Sequence, residues 1–75
     1  MRLTPRYGTI LHGGYNTVTT DLNELAAEII GAMKRDWRRI VDVWYDERDE
    51  QELICIEYRL NRGRSQIFEF IVTFN

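Results

Sequence analysis

One stretch of this chain repeats at the period of an α-helix, and the three stretches that follow it alternate at the period of a β-strand. Leu22, Leu25, Ala26, Ile29, Ile30, Met33 and Trp37 draw one continuous apolar stripe along a helix. Asp21 stands where an N-cap belongs, and Glu24 follows three residues later as in a capping box. Acid comes early (Asp21, Glu24, Glu28) and base late (Lys34, Arg35), as the helix dipole favours. The predicted helix runs over 21–36. Gly31 costs it about 1 kcal/mol relative to alanine, and a close contact would account for a glycine there.

The three alternating segments are 39–46, 52–60 and 65–74. Side chains leave a strand to opposite faces in turn, so each segment has one strongly apolar face. Val41, Val43, Tyr45, Ile54, Ile56, Tyr58, Phe68, Phe70 and Val72 form the inner face, beneath the helix stripe. Asn61-Arg62-Gly63 separates the last two strands. A three-residue hairpin loop with two right-handed residues and then a left-handed glycine pairs Leu60 with Arg64, Ile56 with Phe68 and Ile54 with Phe70. Inner residues then face inner residues, whereas a two-residue loop would mix the faces. The same parity pairs Val43 with Ile56 and Tyr45 with Ile54.

The N-terminal part carries weaker signals. Residues 1–6 read as a loose arm containing Pro5. Residues 7–19 read as a short hairpin, 7–12 and 15–19, turning at His12-Gly13-Gly14, with one long bent strand as the alternative. The expected fold is α+β. One amphipathic helix packs on one face of a mostly antiparallel four- to five-stranded sheet, in the order β(β)αβββ, as a single domain over 1–75.

Bulk properties narrow the function classes. A domain of 75 residues has little room for a deep cleft beside its core. The net charge of −2 is not that of a general nucleic-acid binder. One cysteine, Cys55, permits no internal disulfide, so a reducing cytoplasm is expected. No apolar run reaches the roughly 20 residues of a membrane span, and no signal-peptide pattern follows Met1.

Five features of the chain bear on function. The outer sheet face carries Ile40, Asp42, Trp44, Leu53, Cys55, Glu57, Ile67, Glu69 and Ile71. Six of these nine are apolar, where a solvated face is normally polar. Such a patch serves as an interface, or else lies under the N-terminal segment. Asp42, Trp44, Leu53, Glu57, Ile67, Glu69 and Ile71 are its candidate partner-binding residues. The acidic group on that face and in the loop, Asp42, Asp46, Glu47, Asp49, Glu50, Glu52, Glu57 and Glu69, reads in the loop as a solvated hairpin tip that discourages edge pairing, or as a surface that seeks a basic partner.

Lys34, Arg35, Arg38, Arg39, Arg59, Arg62 and Arg64 could hold phosphates if they meet in space, with Trp37 free to stack. Arg38, Arg39, Arg59, Arg62 and Arg64 are the candidate nucleic-acid contacts. His12-Gly13-Gly14 reads as a turn, since no nucleophile elbow or phosphate-loop lysine accompanies it. One histidine and one mid-strand cysteine make no catalytic pair, so no catalytic residue, metal ligand or cofactor is expected.

In overall character, a compact, slightly acidic α+β domain of fewer than 80 residues, the chain resembles small inhibitors encoded by phages and mobile elements, anti-CRISPR proteins among them. The resemblance covers no residue pattern and implies no site residue. The expected activity is non-catalytic binding to a larger protein or complex, in the host cytoplasm if phage-encoded. A nucleic-acid-binding domain and a small homodimer are the alternatives.

Overall fold

Asp21 opens the helix. Its carboxylate accepts the Glu24 backbone N–H at 3.1 Å, and α1 runs over Leu22–Ala32. The computed structural model describes residues 1–7 and 14–74. The helix is shorter than its stripe predicts because Lys34 turns left-handed (φ 60°). Lys34 N–H then donates to Gly31 O and Arg35 N–H to Ile30 O, the two bonds of a Schellman stop. Asp36 caps a new 3-10 turn, Trp37–Arg39. Trp37 thereby leaves the stripe and is 59% exposed, a correction to its predicted place under the helix. Gly31 faces open space, so no close contact explains it.

The strands are β1 (Arg2–Pro5), β2 (Tyr15–Asn16), β3 (Ile40–Arg48), β4 (Gln51–Arg59) and β5 (Ser65–Thr73). They form one antiparallel sheet in the order β2-β1-β5-β4-β3. The fold is therefore α+β, one helix on a five-stranded antiparallel sheet. The chain leaves β2 at one edge and re-enters at β3 on the other. Four strand gaps span about 19 Å. Eleven helical residues reach about 16 Å, so a single helix makes the crossing and covers the face it crosses.

Residues 1–6 are not a loose arm. β1 lies between β2 and β5, pairing Leu3 with Val72 and with Tyr15, and Leu3 is fully buried. Pro5 pairs with Phe70, and on its other side no described residue of β2 stands opposite it, so its missing N–H removes no ladder bond among the described residues. Residues 8–12 of the predicted strand 7–12 and the His12-Gly13 part of the turn lie outside the described residues, Tyr7 is not in a strand, and 15–19 contributes only two strand residues. Gly14 sits at φ +86°, and a Cβ there would come within 2.8 Å of Leu3 O. The β2 approach to β1 therefore requires glycine.

The C-terminal register matches the parity argument pair for pair: Val43–Ile56–Phe68 and Tyr45–Ile54–Phe70. Leu60 N–H donates to Arg64 O at 2.7 Å across the three-residue loop. Within that loop Arg62 is left-handed as well as Gly63 (φ 64° and 72°), one residue more than predicted. The β3–β4 turn is tighter than predicted, a two-residue loop, Asp49-Glu50, with both φ positive. A bulge between Ile40 and Asp42 reverses one assignment. Ile40 takes the inner position opposite Tyr58, and Val41 is 55% exposed.

The core lies between α1 and the inner face. Leu25, Ala26, Ile29, Ile30 and Met33 meet Leu3, Ile54, Ile56, Tyr58, Phe68, Phe70 and Val72. Tyr15 ties β2 to the helix by donating its hydroxyl to Glu28 Oε1 at 3.2 Å. Burial and the neighbouring Glu28 carboxylate push that hydroxyl's pKa above its ordinary value.

Candidate binding face

The outer face is built in cross-strand rows. Trp44, Cys55 and Glu69 form one row, and Asp42, Glu57 and Ile67 form the next. On the other side of the first row lie Asp46, Leu53, Ile71 and Thr4. Apart from Ile40, which the bulge turns inward, the predicted outer-face residues share these rows, but the face is not uniformly open.

Its centre is closed. Leu53 and Cys55 are fully buried. Leu53 therefore cannot serve as an exposed anchor, which corrects its assignment as a partner contact. Two arginines lie across this region. Arg6 enters beside β5, its backbone N–H donating to Glu69 O at 2.9 Å. Its guanidinium pairs with Asp49 at 2.6 Å and reaches Glu69 at 3.6 Å. Arg48 pairs with Asp46 at 2.9 Å, with Glu69 from the other side, and approaches Cys55 Sγ at 3.8 Å. The Arg6 and Glu69 side chains are each only 14% exposed. Glu69 is thus bound to two cations of its own chain, so it is not the free partner-selecting carboxylate that the sequence implied.

The open part of the face lies toward the start of β3. There Ile67 is 52% exposed, Asp42 is exposed and Trp44 is half-buried, while Ile71, also half-buried, lies in the row beyond Cys55 and Glu69. Asp42 and Glu57 stand directly opposite one another. Among the described residues neither meets a cation, and Asp42 accepts only the Val43 backbone N–H, at 2.9 Å. Asp46 accepts the Glu47 N–H in the same way, at 2.8 Å. Two outward-pointing donors of edge strand β3 are thereby occupied, which blunts that edge against a further strand and against a dimer built along it.

The two groups of arginines, named as phosphate contacts on the condition that they meet, are joined through Arg39. Arg39 donates to Arg59 O at 2.9 Å and to Asn61 Oδ1 at 3.2 Å, so the 3-10 turn and the β4–β5 turn meet at one end of the sheet. Arg38 folds back on Asp36, and the Arg38 backbone and guanidinium N–H groups hold the Asp36 carboxyl below its ordinary pKa. Arg59, Arg62 and Arg64 are exposed and form no ion pair with a described residue.

Sequence reasoning missed the ion network. Its members, Arg6, Asp46, Arg48, Asp49 and Glu69, are separated by up to 63 residues in sequence. The β3–β4–β5 pairing brings Arg48 to Glu69, and the pairing of β1 with β5 adds Arg6. No group of three histidine, cysteine or acidic side chains among the described residues is arranged to hold a metal ion. No helix of the described chain is long and apolar enough to cross a membrane. Comparison with protein-family models, with curated proteins and with solved structures finds no match.

Proposed function

We propose that this chain is a non-catalytic protein-binding module that docks through the open part of its outer sheet face. The observation that carries the reading is the cross-strand pair Asp42–Glu57, two carboxylates with no cation, beside Ile67 and in the row next to Trp44. Like charges placed directly opposite on a sheet are destabilising. A basic side chain of a partner, set between them, would convert that repulsion into attraction. Trp44 and Ile67 supply apolar and aromatic area of the kind that anchors interfaces, and Ile71 adds to it at the far side of the Cys55 row. Bound in this way, the domain would act by occluding the surface of a larger protein, as a small phage or mobile-element inhibitor of the anti-CRISPR type does.

Two measurements test the proposal. Glu57→Gln removes the repulsion, so it should leave the fold as stable or stabilise it by up to about 1 kcal/mol. Glu57→Gln combined with Ile67→Ala should keep the melting transition yet abolish capture of a partner that the wild type retains from lysate. An Arg62→Ala, Arg64→Ala protein should still capture it. Undiminished capture by the Glu57, Ile67 variant would refute the proposal.

A further inference from the structure

We propose that the arginine end of the sheet is a docking surface for single-stranded nucleic acid, separate from the protein-facing patch. Backbone phosphates would lie on Arg59, Arg62 and Arg64, and an unpaired base on Trp37. The charge distribution is one-sided. Of the ten lysines and arginines in the chain, five stand at the meeting of the 3-10 turn with the β4–β5 turn, namely Arg38, Arg39, Arg59, Arg62 and Arg64. Lys34 and Arg35 directly precede that 3-10 turn, and the Arg35 guanidinium lies 5.7 Å and 5.5 Å from the Tyr58 and Phe68 ring centroids. Asp36 is the one carboxylate of this cluster, and Arg38 already neutralises it. The net charge of −2 therefore conceals a strongly basic end opposite an acidic hairpin tip.

The cations differ in what they are already doing. Arg39 is spent on holding the two turns together through Arg59 O and Asn61. Arg35 is applied to two rings of the core. Arg59, Arg62 and Arg64 have no such duty, and their guanidinium forks are free for the paired acceptors that phosphate oxygens offer. The ends of three adjacent strands span about 10 Å, room for two or three backbone phosphates rather than a long tract.

Phosphate is preferred to a protein carboxylate because of Trp37. It is 59% exposed and lines a groove between α1 and the 3-10 turn, with Ala27, Arg38 and Ile40 beside it. Trp37 belongs to the 3-10 turn that Arg39 ties to the β4–β5 turn carrying the unpaired arginines, and an exposed indole on the same end as such arginines can stack an unpaired base while its backbone is held. A duplex keeps its bases stacked on each other and offers none to Trp37. The carboxylates near this end set the path. Glu24 lines the same groove, and Asp42 and Glu57 lie on the outer face just inside Arg59, so the strand must pass over the turn.

Fluorescence anisotropy with a labelled oligothymidine strand, a duplex of equal length and labelled poly-glutamate tests the assignment. At about 50 mM salt the single strand should bind, and its log–log salt dependence should have a slope near −2, for about three phosphate contacts. Arg62→Ala with Arg64→Ala should weaken binding about tenfold and bring the slope toward −1. Arg59→Gln with Arg64→Gln provides a second pair outside the left-handed turn. Trp37→Ala should weaken binding about tenfold with the slope unchanged. Absence of binding at low salt overturns the proposal. Equal binding of poly-glutamate overturns it in favour of an acidic protein partner. A duplex bound as tightly as the strand overturns the single-strand assignment.

Discussion

The helix-covered face of the sheet is closed by apolar side chains, whereas the opposite face is crossed at its centre by ion pairs. Beneath α1, Leu25, Ile29 and Ile30 meet Leu3, Ile54, Ile56 and Phe70, and all are essentially inaccessible. On the other side Leu53 and Cys55 are equally inaccessible, yet the described side chains pairing across that region are Arg6, Arg48 and Glu69. The first closure draws on area removed from water, which depends weakly on partners and geometry. The second depends on a few directed contacts, whose loss leaves charges poorly solvated. One face is thereby committed to stability. The other keeps Trp44, Ile67 and Ile71 accessible at its margin.

The largest expected effect tests whether β1 belongs to the first closure. Leu3→Ala should cost about 2–5 kcal/mol, a large share of the roughly 4–10 kcal/mol available to a domain of this size. Urea unfolding monitored by tryptophan fluorescence measures it. A cost below about 1 kcal/mol would show that the N-terminal strand is an appendage and that the helix-covered core stands without it.

A smaller effect tests the second closure. Glu69→Gln removes the carboxylate shared by Arg6 and Arg48 and should cost about 1–2 kcal/mol, since both partners are partly buried. The difference between wild type and variant should shrink in about 1 M salt, where the Debye length falls to about 3 Å. The Leu3→Ala difference should not shrink with it. Equal salt responses in the two variants would erase the distinction between the faces.

This division was only partly legible in the sequence. Alternation and loop length fixed the β3–β4–β5 register, because a one-residue slip would have exposed every inner side chain. The helix start was readable because its signal is local, a cap and a stripe. The helix end was not. Lys34 carries no glycine signature for the left-handed position it occupies. β1 was missed because Leu3 is the only large apolar residue between Arg2 and Arg6, and its partner strand lies at the far end of the chain. The presence of Arg6 on the outer face was missed for the same reason, since it reaches Glu69 only through β1. The candidate sites followed the same pattern. The rows of the outer face and the meeting of the arginines were foreseeable from register, while the capture of Glu69 by two arginines was not.

The smallest effect concerns the turn that holds part of the second closure. Asp49 and Glu50 both sit at positive φ (54° and 62°), a conformation that two-residue hairpin loops require and that glycine or asparagine adopts with less strain. Asp49 has a reason to be there, since it binds Arg6 at 2.6 Å. Glu50 is exposed and makes no ion pair with a described residue. Glu50→Gly should therefore relieve strain and stabilise the fold by about 0.5–1 kcal/mol, read as a higher urea midpoint with an unchanged slope. In an Arg6→Ala background the gain should persist, because relief of backbone strain needs no contact across the face. A gain that vanished without Arg6 would mean that the turn is shaped by the ion pair rather than by its own backbone. The outer face would then be a single cooperative unit with the hairpin tip.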